Sequence, residues 1–361
     1  MEQAAPRLSW ADDWRDVGPS SPPGVCPVTD SAFVTFLSGK AYLPGALCLQ
    51  RSLRRSGNAC PLALLLDDRL EVALPPAQSK ALRHAYGERN VHSLTALMRR
   101  HPQHARHVRL NGSADSFQDL SSASAASSSS SITPLPRHSS TPRRRRRRRL
   151  YAVTRTYVEF FALWNKAWLW ALHGYRTLLH LDCDLVVLSR IDALLGYSFD
   201  AEVAAMSCGF HGATDGEAGA FVSNLMLLRP GTPEALRHLG SVMRLTVGSQ
   251  FRQVPKACEP KPTDQSLLNA EFAGRWHRLP TNLALDTRQS NRSRATSQSF
   301  ANKSEPAMLH FASEPKPWRP LDGSDGGGDS RLRRRVLVKG SDEEAQVALW
   351  RSHCVRSSSC E

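Results

Sequence analysis

Two apolar runs flanking one helical segment constrain the fold of this chain more than any other feature. Ser31–Leu37 (SAFVTFL) and Pro61–Leu66 (PLALLL) are apolar almost throughout. Short runs without alternation read as strands buried on both faces. Between them, Pro44 stands where a first helical turn tolerates proline, and Ala46, Leu49, Gln50 and Leu53 continue the helix. Arg54 and Arg55 suit its negative end, and Gly57 closes it. A strand, a helix and a second strand in this order imply a parallel pair with a right-handed crossover. The fold class is therefore α/β, with a mostly parallel sheet and flanking helices.

The downstream pattern extends that class. A helix is expected around Ala77–Tyr86, a short strand near Val91, and an amphipathic helix over Tyr157–Leu172 carrying Phe160, Phe161, Trp164, Trp168 and Leu172 at helical spacing. Leu178–Leu181 reads as a buried strand and Ile191–Leu195 as a short helix. Val203–Met206 and Val222–Leu228 are further strands, and Pro233–Leu245 is a helix with Leu236, Leu239 and Val242 on one side. Thr263 is placed to cap a helix through Gln265–Phe272.

With 361 residues, 41% of them apolar, the chain can bury a sizeable core. One domain over residues 31–320 fits the element order. Residues 1–30 read as a polar, Pro-rich tail, and 321–361 as a tail of low apolar content. Residues 111–149 read as a disordered insertion: twelve Ser fall within 111–142, and Arg143–Arg149 follow without a break. The net charge of +14 owes much to that Arg run, and no helix shows a basic face with interleaved aromatics. A solvated tract is the preferred reading, a nuclear-localisation signal the lesser one, and no nucleic-acid partner is expected.

The eight Cys form no C-x-x-C pair, which removes zinc-ribbon and thioredoxin readings. Cys48 and Cys183 sit inside apolar runs, where a free thiol behaves as a small hydrophobe. That favours a reducing compartment. No signal-peptide pattern and no stretch near the ~20 apolar residues of a membrane span is evident, so the expected location is cytoplasmic. The sequons at Asn111, Asn291 and Asn302 are then read as chance occurrences in Ser-rich sequence.

Two segments carry candidate chemistry. In Leu178–Leu188 (LLHLDCDLVVL), Asp182 and Asp184 follow an apolar strand. Ligands in open α/β sheets lie at the carboxyl ends of strands, and two carboxylates there can converge on a divalent cation. The competing reading is a strand-end turn with solvated aspartates, weakened because apolar flanks make uncompensated carboxylates costly. In His310–Trp318 (HFASEPKPW), His310 offers an imidazole and Lys316 a cation for phosphate. Taken alone, that segment reads better as a strand-end His and a surface Lys held by two prolines.

The order of these segments resembles glycosyltransferase family 8, most closely its glycogenin-like branch. Phe33–Gly57 resembles the family's nucleotide-binding strand, loop and helix, and Lys166–Trp170 (KAWLW) its K-L-x-x-W helix. His180–Leu195 resembles the metal-binding segment, Phe221–Pro230 the N-S-G strand, and Thr263–Asn269 (TDQSLLN) the D-Q-x-x-L-N helix. Leu279–Asn282 and His310–Trp318 resemble the closing L-P turn and H-F-x-G-x-x-K-P-W. The resemblance implies a GT-A fold, a UDP-hexose donor with glucose foremost, Mn²⁺ or Mg²⁺, and retention of configuration. It implies Asp182, Asp184 and His310 as metal ligands, and Lys166 and Lys316 on the diphosphate. Phe36, Ser38, Gly39 and Tyr42 would surround uridine. Cys183, between the two aspartates, and Ser313 would complete the donor contacts. Ser223, Asn224, Asp264 and Gln265 would face the sugar, with Asp264 also stabilising positive charge near the anomeric carbon.

Three positions depart from the pattern: Val222-Ser223-Asn224 stands for N-S-G, Gly39 for the uridine-loop Asn, and Ser313 for the Gly after His-Phe. They leave open a member that binds nucleotide sugar with little turnover. Acceptors in the family include glycans, proteins, inositol and lipids, so galactinol-synthase-like and glycolipid-directed readings stay open. Tyr175 and Tyr197 lie in no flexible acceptor-like loop, so self-glucosylation finds no support in the sequence.

Overall fold

The computed structural model describes residues 24–105, 165–208, 219–245, 263–280, 282–287, 306–312, 316–318 and 342–354. The insertion at 111–149, Ser313 and the first turns of the helix expected from Tyr157 lie outside them. The described strands are β1 (Ser31–Leu37), β2 (Leu62–Leu66), β3 (Val91–Ser93), β4 (Thr177–Leu181), β5 (Leu185–Val187), β6 (Val203–Ser207), β7 (Phe221–Leu228), β8 (Trp276–Leu279), β9 (Ala284–Asp286) and β10 (Met308–His310). The described α-helices are α1 (Leu43–Arg55), α2 (Asp68–Ala73), α3 (Pro76–Tyr86), α4 (Leu94–Arg100), α5 (Pro233–Leu245), α6 (Asp264–Glu271) and α7 (Asp342–Cys354).

Seven strands form one sheet in the order β3-β2-β1-β4-β7-β6-β8. All neighbours pair in parallel except β7, which runs against both β4 and β6. The expected β-α-β unit is present, with Phe33 beside Leu62 and Leu37 beside Leu66. Both faces of β1 are buried, as its unbroken apolar run requires. Phe33 and Leu37 enter one core cluster with α1 and α3, while Val34 and Phe36 enter a second with α4 and α5. Three short strands, β5-β10-β9, form a second sheet, which receives the chain as it leaves the main sheet at β4.

Three expectations need correction. Asn165–Ala171 is a 3-10 helix, its seven residues all buried rather than amphipathic. Thr263 precedes α6, but its hydroxyl makes no capping bond. The segment read as a tail contains α7, whose Trp350 and Cys354 pack with Val186, Leu309 and Phe311 beneath the small sheet. Arg55 donates to the carbonyls of Ser352 and His353 at the end of α7, where unpaired carbonyls favour a cation.

The cysteines also depart from expectation. Cys48 is not a free thiol but is bonded to Cys354, which fastens α1 to α7; Cys26 is bonded to Cys60. Cys208 is disulfide-bonded as well, and Cys183 is the free cysteine among the described residues. The argument from unpaired thiols to a reducing compartment therefore fails. No helix among the described residues is long and apolar enough to cross a membrane.

Candidate functional site

The carboxyl end of β4 leads directly into Asp182-Cys183-Asp184, and β5 begins at Leu185. The antiparallel register of β10 on β5 sets His310 opposite Leu185. The Phe311 amide donates to the Asp184 carbonyl at 3.0 Å, which fixes the exit from β10 on the aspartate turn. His310 is thereby delivered to Asp184 by strand pairing: its Nε2 is 3.3 Å from Asp184 Oδ1. One donor atom each from Asp182, Asp184 and His310 lies within 4.8 Å of the others.

Two lysines close around this triad. Lys316, 132 residues along the chain from Asp184, donates to Asp184 Oδ2 and to the Phe311 carbonyl, each at 2.7 Å. Lys166, from the buried 3-10 helix, lies 2.8 Å from both Asp182 Oδ1 and Asp264 Oδ2. Asp264 at the start of α6 also accepts from Ser223 Oγ at 3.0 Å, and Gln265 Oε1 accepts from the Ser223 amide at 3.1 Å. Ser223 and Asn224 come from β7, where Asn224 O also receives the Asp182 amide at 2.9 Å. Nine of the residues singled out in the sequence thus share one network: Lys166, Asp182, Asp184, Ser223, Asn224, Asp264, Gln265, His310 and Lys316.

Electrostatics follow from that packing. Burial alone would raise the Asp184 carboxyl, but His310 and Lys316 beside it hold it below the usual carboxylate range. Burial would likewise lower His310, and Asp184 overcomes this to raise it. Asp182 is raised, chiefly by burial and against the pull of Lys166. Lys166 is raised despite burial because Asp182 and Asp264 flank it. His180, beneath Asp182, is pushed well below its ordinary value by burial and by Lys166, so it stays neutral. Burial also holds the Cys183 thiol well above its usual value.

The donor set fits a divalent cation. Asp184 Oδ1 is buried without a hydrogen-bond partner, and it faces the imidazole. The Asn224 side-chain amide is 2.9 Å from His310 Nδ1, and its own oxygen is buried without a partner. With that oxygen toward the ring, Nδ1–H donates to it and Nε2 presents its lone pair to the site, as metal-ligating histidines require.

Around the loop after β1, Tyr42 meets Trp318 edge-on at 6.3 Å between centroids, and Lys316 Nζ stands 5.6 Å from the centre of the Tyr42 ring. Ser38 and Gly39 lie in this loop, partly exposed. Phe36 lies apart from it, 7% exposed within the core, and Cys183 packs against the core on the other face. Gly45 was not singled out by the sequence. A Cβ there would lie 2.5 Å from the Cys183 carbonyl oxygen and 2.8 Å from the Trp318 ring, so α1 can approach the aspartate turn only with glycine at this position. Asp192, which the sequence grouped with the metal segment, instead accepts from the Ala59 and Cys60 amides and holds the loop before β2.

This fold is similar to that of the glycosyltransferase GlyE. The apo form of that Streptococcus pneumoniae protein superposes with a TM-score of 0.51 at 14% identity. The alignment covers 91% of this chain and 60% of GlyE, so the chain spans less than two thirds of that protein. The galactosyltransferase LgtC, solved with donor and acceptor sugar analogues, aligns at a TM-score of 0.48 and 13% identity, over 90% of this chain and 96% of its own. The bifunctional glycosyltransferase WbbM aligns at 0.48 and 17%, over 82% and 48%. No protein-family model and no curated protein matched the sequence. The GT-A type α/β architecture expected from the sequence is the architecture observed.

Proposed function

We propose that this chain is a divalent-metal-dependent glycosyltransferase of the family 8 type, transferring a hexose from a UDP-sugar with retention. Glucose is the preferred donor sugar. One observation carries the reading: His310, remote in sequence, converges with Asp182 and Asp184 around a buried, unpartnered carboxylate oxygen, with a lysine at either side. A single acidic pair would be ordinary; an imidazole delivered to it by strand register is not.

A bound Mn²⁺ or Mg²⁺ held by these three side chains would neutralise charge developing on the departing nucleoside diphosphate. Lys316 and Lys166 supply fixed positive charge on either side of that position. Both are already ordered by carboxylates, so little reorganisation is needed as charge develops. Tyr42 and Trp318 offer aromatic surface beside Lys316 for a base. Asp264, oriented by Lys166 and Ser223, supplies a carboxylate near where the sugar would lie. The acceptor is a hydroxyl compound among glycans, proteins, inositol or lipids. The disulfides favour an oxidising compartment over the cytoplasm first expected from the sequence.

The test is release of UDP from UDP-glucose, UDP-galactose, UDP-glucuronate and UDP-N-acetylglucosamine with Mn²⁺. Wild type should hydrolyse one of them slowly, and Asp184→Asn should lose about a hundredfold or more, the cost of removing one preorganised electrostatic group. UDP binding without release from any of the four would select a nucleotide-sugar-binding scaffold instead.

A further inference from the structure

A second group of ligating side chains lies away from this site and takes no part in the function proposed above. Glu234 and His238 are one turn apart on α5, at the i, i+4 spacing that stacks side chains on one helix face. Glu202 comes from the residue preceding β6, with its backbone amide bonded to the Arg275 carbonyl at 3.3 Å. One donor atom from each of Glu202, Glu234 and His238 lies within 4.8 Å of the others.

One exposed and one half-buried glutamate near a histidine would not by themselves indicate a site. The state of His238 does. It is 5% exposed, and its Nδ1 lies 2.8 Å from Glu271 Oε1. A carboxylate accepts, so Nδ1 carries a proton, and in that tautomer of the neutral ring Nε2 is the nitrogen free to bind a metal. Nε2 is buried and has no hydrogen-bond partner. Glu202 Oε2 is 3.3 Å from it without forming a hydrogen bond. Carboxylate oxygens facing that nitrogen call for positive charge between them, supplied either by a second ring proton or by a metal ion. A histidine tied back by a carboxylate, with its other nitrogen aimed at two more carboxylates, is the arrangement by which proteins orient a metal-binding imidazole. Glu234 is otherwise held by an ion pair to Arg237 on the surface, where such pairs contribute little and yield readily to a metal.

We propose that Glu202, Glu234 and His238 form a zinc site in which Glu271 orients His238. One imidazole and two carboxylates suit Zn²⁺, with water in the fourth position. The site is distinct from the triad at Asp182. Through the registers of β6 on β7 and β7 on β4, Val203 is level with Leu178 at the start of β4, whereas Asp182 follows its end. The two sites therefore lie toward opposite ends of these strands, roughly 15 Å apart along the strand direction. α6 connects them: Asp264 at its first turn meets Lys166, and Glu271 at its last residue meets His238. Zinc would tie α5, α6 and the start of β6 together and so steady the far end of the helix that presents Asp264 and Gln265.

Untagged full-length protein, stripped with chelator and dialysed against micromolar Zn²⁺, tests this by bound-metal analysis and thermal melting. The comparison is with the double variant Glu202→Gln, Glu234→Gln, whose changes are isosteric, partly exposed and outside the core, with folding checked by circular dichroism. Wild type should retain one zinc equivalent more than the double variant, and the rise in Tm on adding zinc should shrink in the variant. Asp184→Asn should keep that equivalent, which separates this site from the one under the proposed function. Equal zinc content in wild type and the double variant would overturn the proposal. So would a nitrogen-15 spectrum of the zinc-treated protein showing His238 protonated at both ring nitrogens, the signature of a simple ion pair.

Discussion

Gly45→Ala should separate the geometry of the aspartate turn from the stability of the fold. The added Cβ would lie 2.5 Å from the Cys183 carbonyl oxygen and 2.8–3.0 Å from two carbons of the Trp318 ring. Ordinary contact begins near 3.4 Å, so α1 and the turn must part by about 0.9 Å. A backbone carbonyl between two strands cannot swing aside as a flexible side chain would. Overpacking of this kind costs about 1–3 kcal/mol. The displaced carbonyl belongs to the residue between Asp182 and Asp184, so the movement passes into both carboxylates. A shift near 1 Å at a reacting centre costs on the order of a hundredfold in rate. Urea unfolding would measure the first quantity, and the rate of UDP release with Mn²⁺ the second. Gly57→Ala is the control: its φ is +79°, but nothing lies within 4 Å of the new Cβ. It should cost about 1–2 kcal/mol through backbone strain alone and leave the rate unchanged. If Gly45→Ala kept wild-type activity, or if both variants lost activity in proportion to stability, the claim that α1 positions the turn would be wrong.

Two further outcomes follow from the charges. Lys166→Met leaves Asp182 and Asp264 without the cation that lies 2.8 Å from each. An uncompensated buried charge of this kind should lower unfolding stability by about 3–5 kcal/mol at neutral pH, measured by urea titration. Burial pushes His180, His92 and His101 below their ordinary values, with Lys166, Arg100 and His173 respectively adding to the effect. Their folded values lie below the unfolded one, so the stability tied to their neutral forms is complete above about pH 6.5 and is lost as pH falls below it. Each contributes a slope of at most about 1.4 kcal/mol per pH unit, and His92→Gln should flatten the urea midpoint between pH 6.5 and 5 without altering it at pH 8.

What the sequence disclosed divides by the range of the contacts involved. The β-α-β unit was legible because each strand is an unbroken apolar run and the helix between them carries its own start and stop signals. The aspartate turn was legible because an apolar strand that ends on two carboxylates is costly unless something compensates them. The 3-10 helix at Asn165–Ala171 was misread because Trp164, Trp168 and Leu172 keep helical spacing, while packing from every side removed the polar face that spacing implies. The Cys48–Cys354 bond was illegible: 306 residues separate its ends, and each cysteine looks locally like a small core residue. Gly45 was illegible for the same reason, since its constraint comes from a carbonyl and an indole far along the chain. Glu234 and His238 stood at ligand spacing in plain view, yet an E-x-x-x-H is ordinary helix surface until a second carboxylate from before β6 and a third at the end of α6 are seen to converge on one buried imidazole. Long-range convergence around unpartnered atoms, at Asp184 as at His238, is therefore the feature of this fold that local pattern cannot announce.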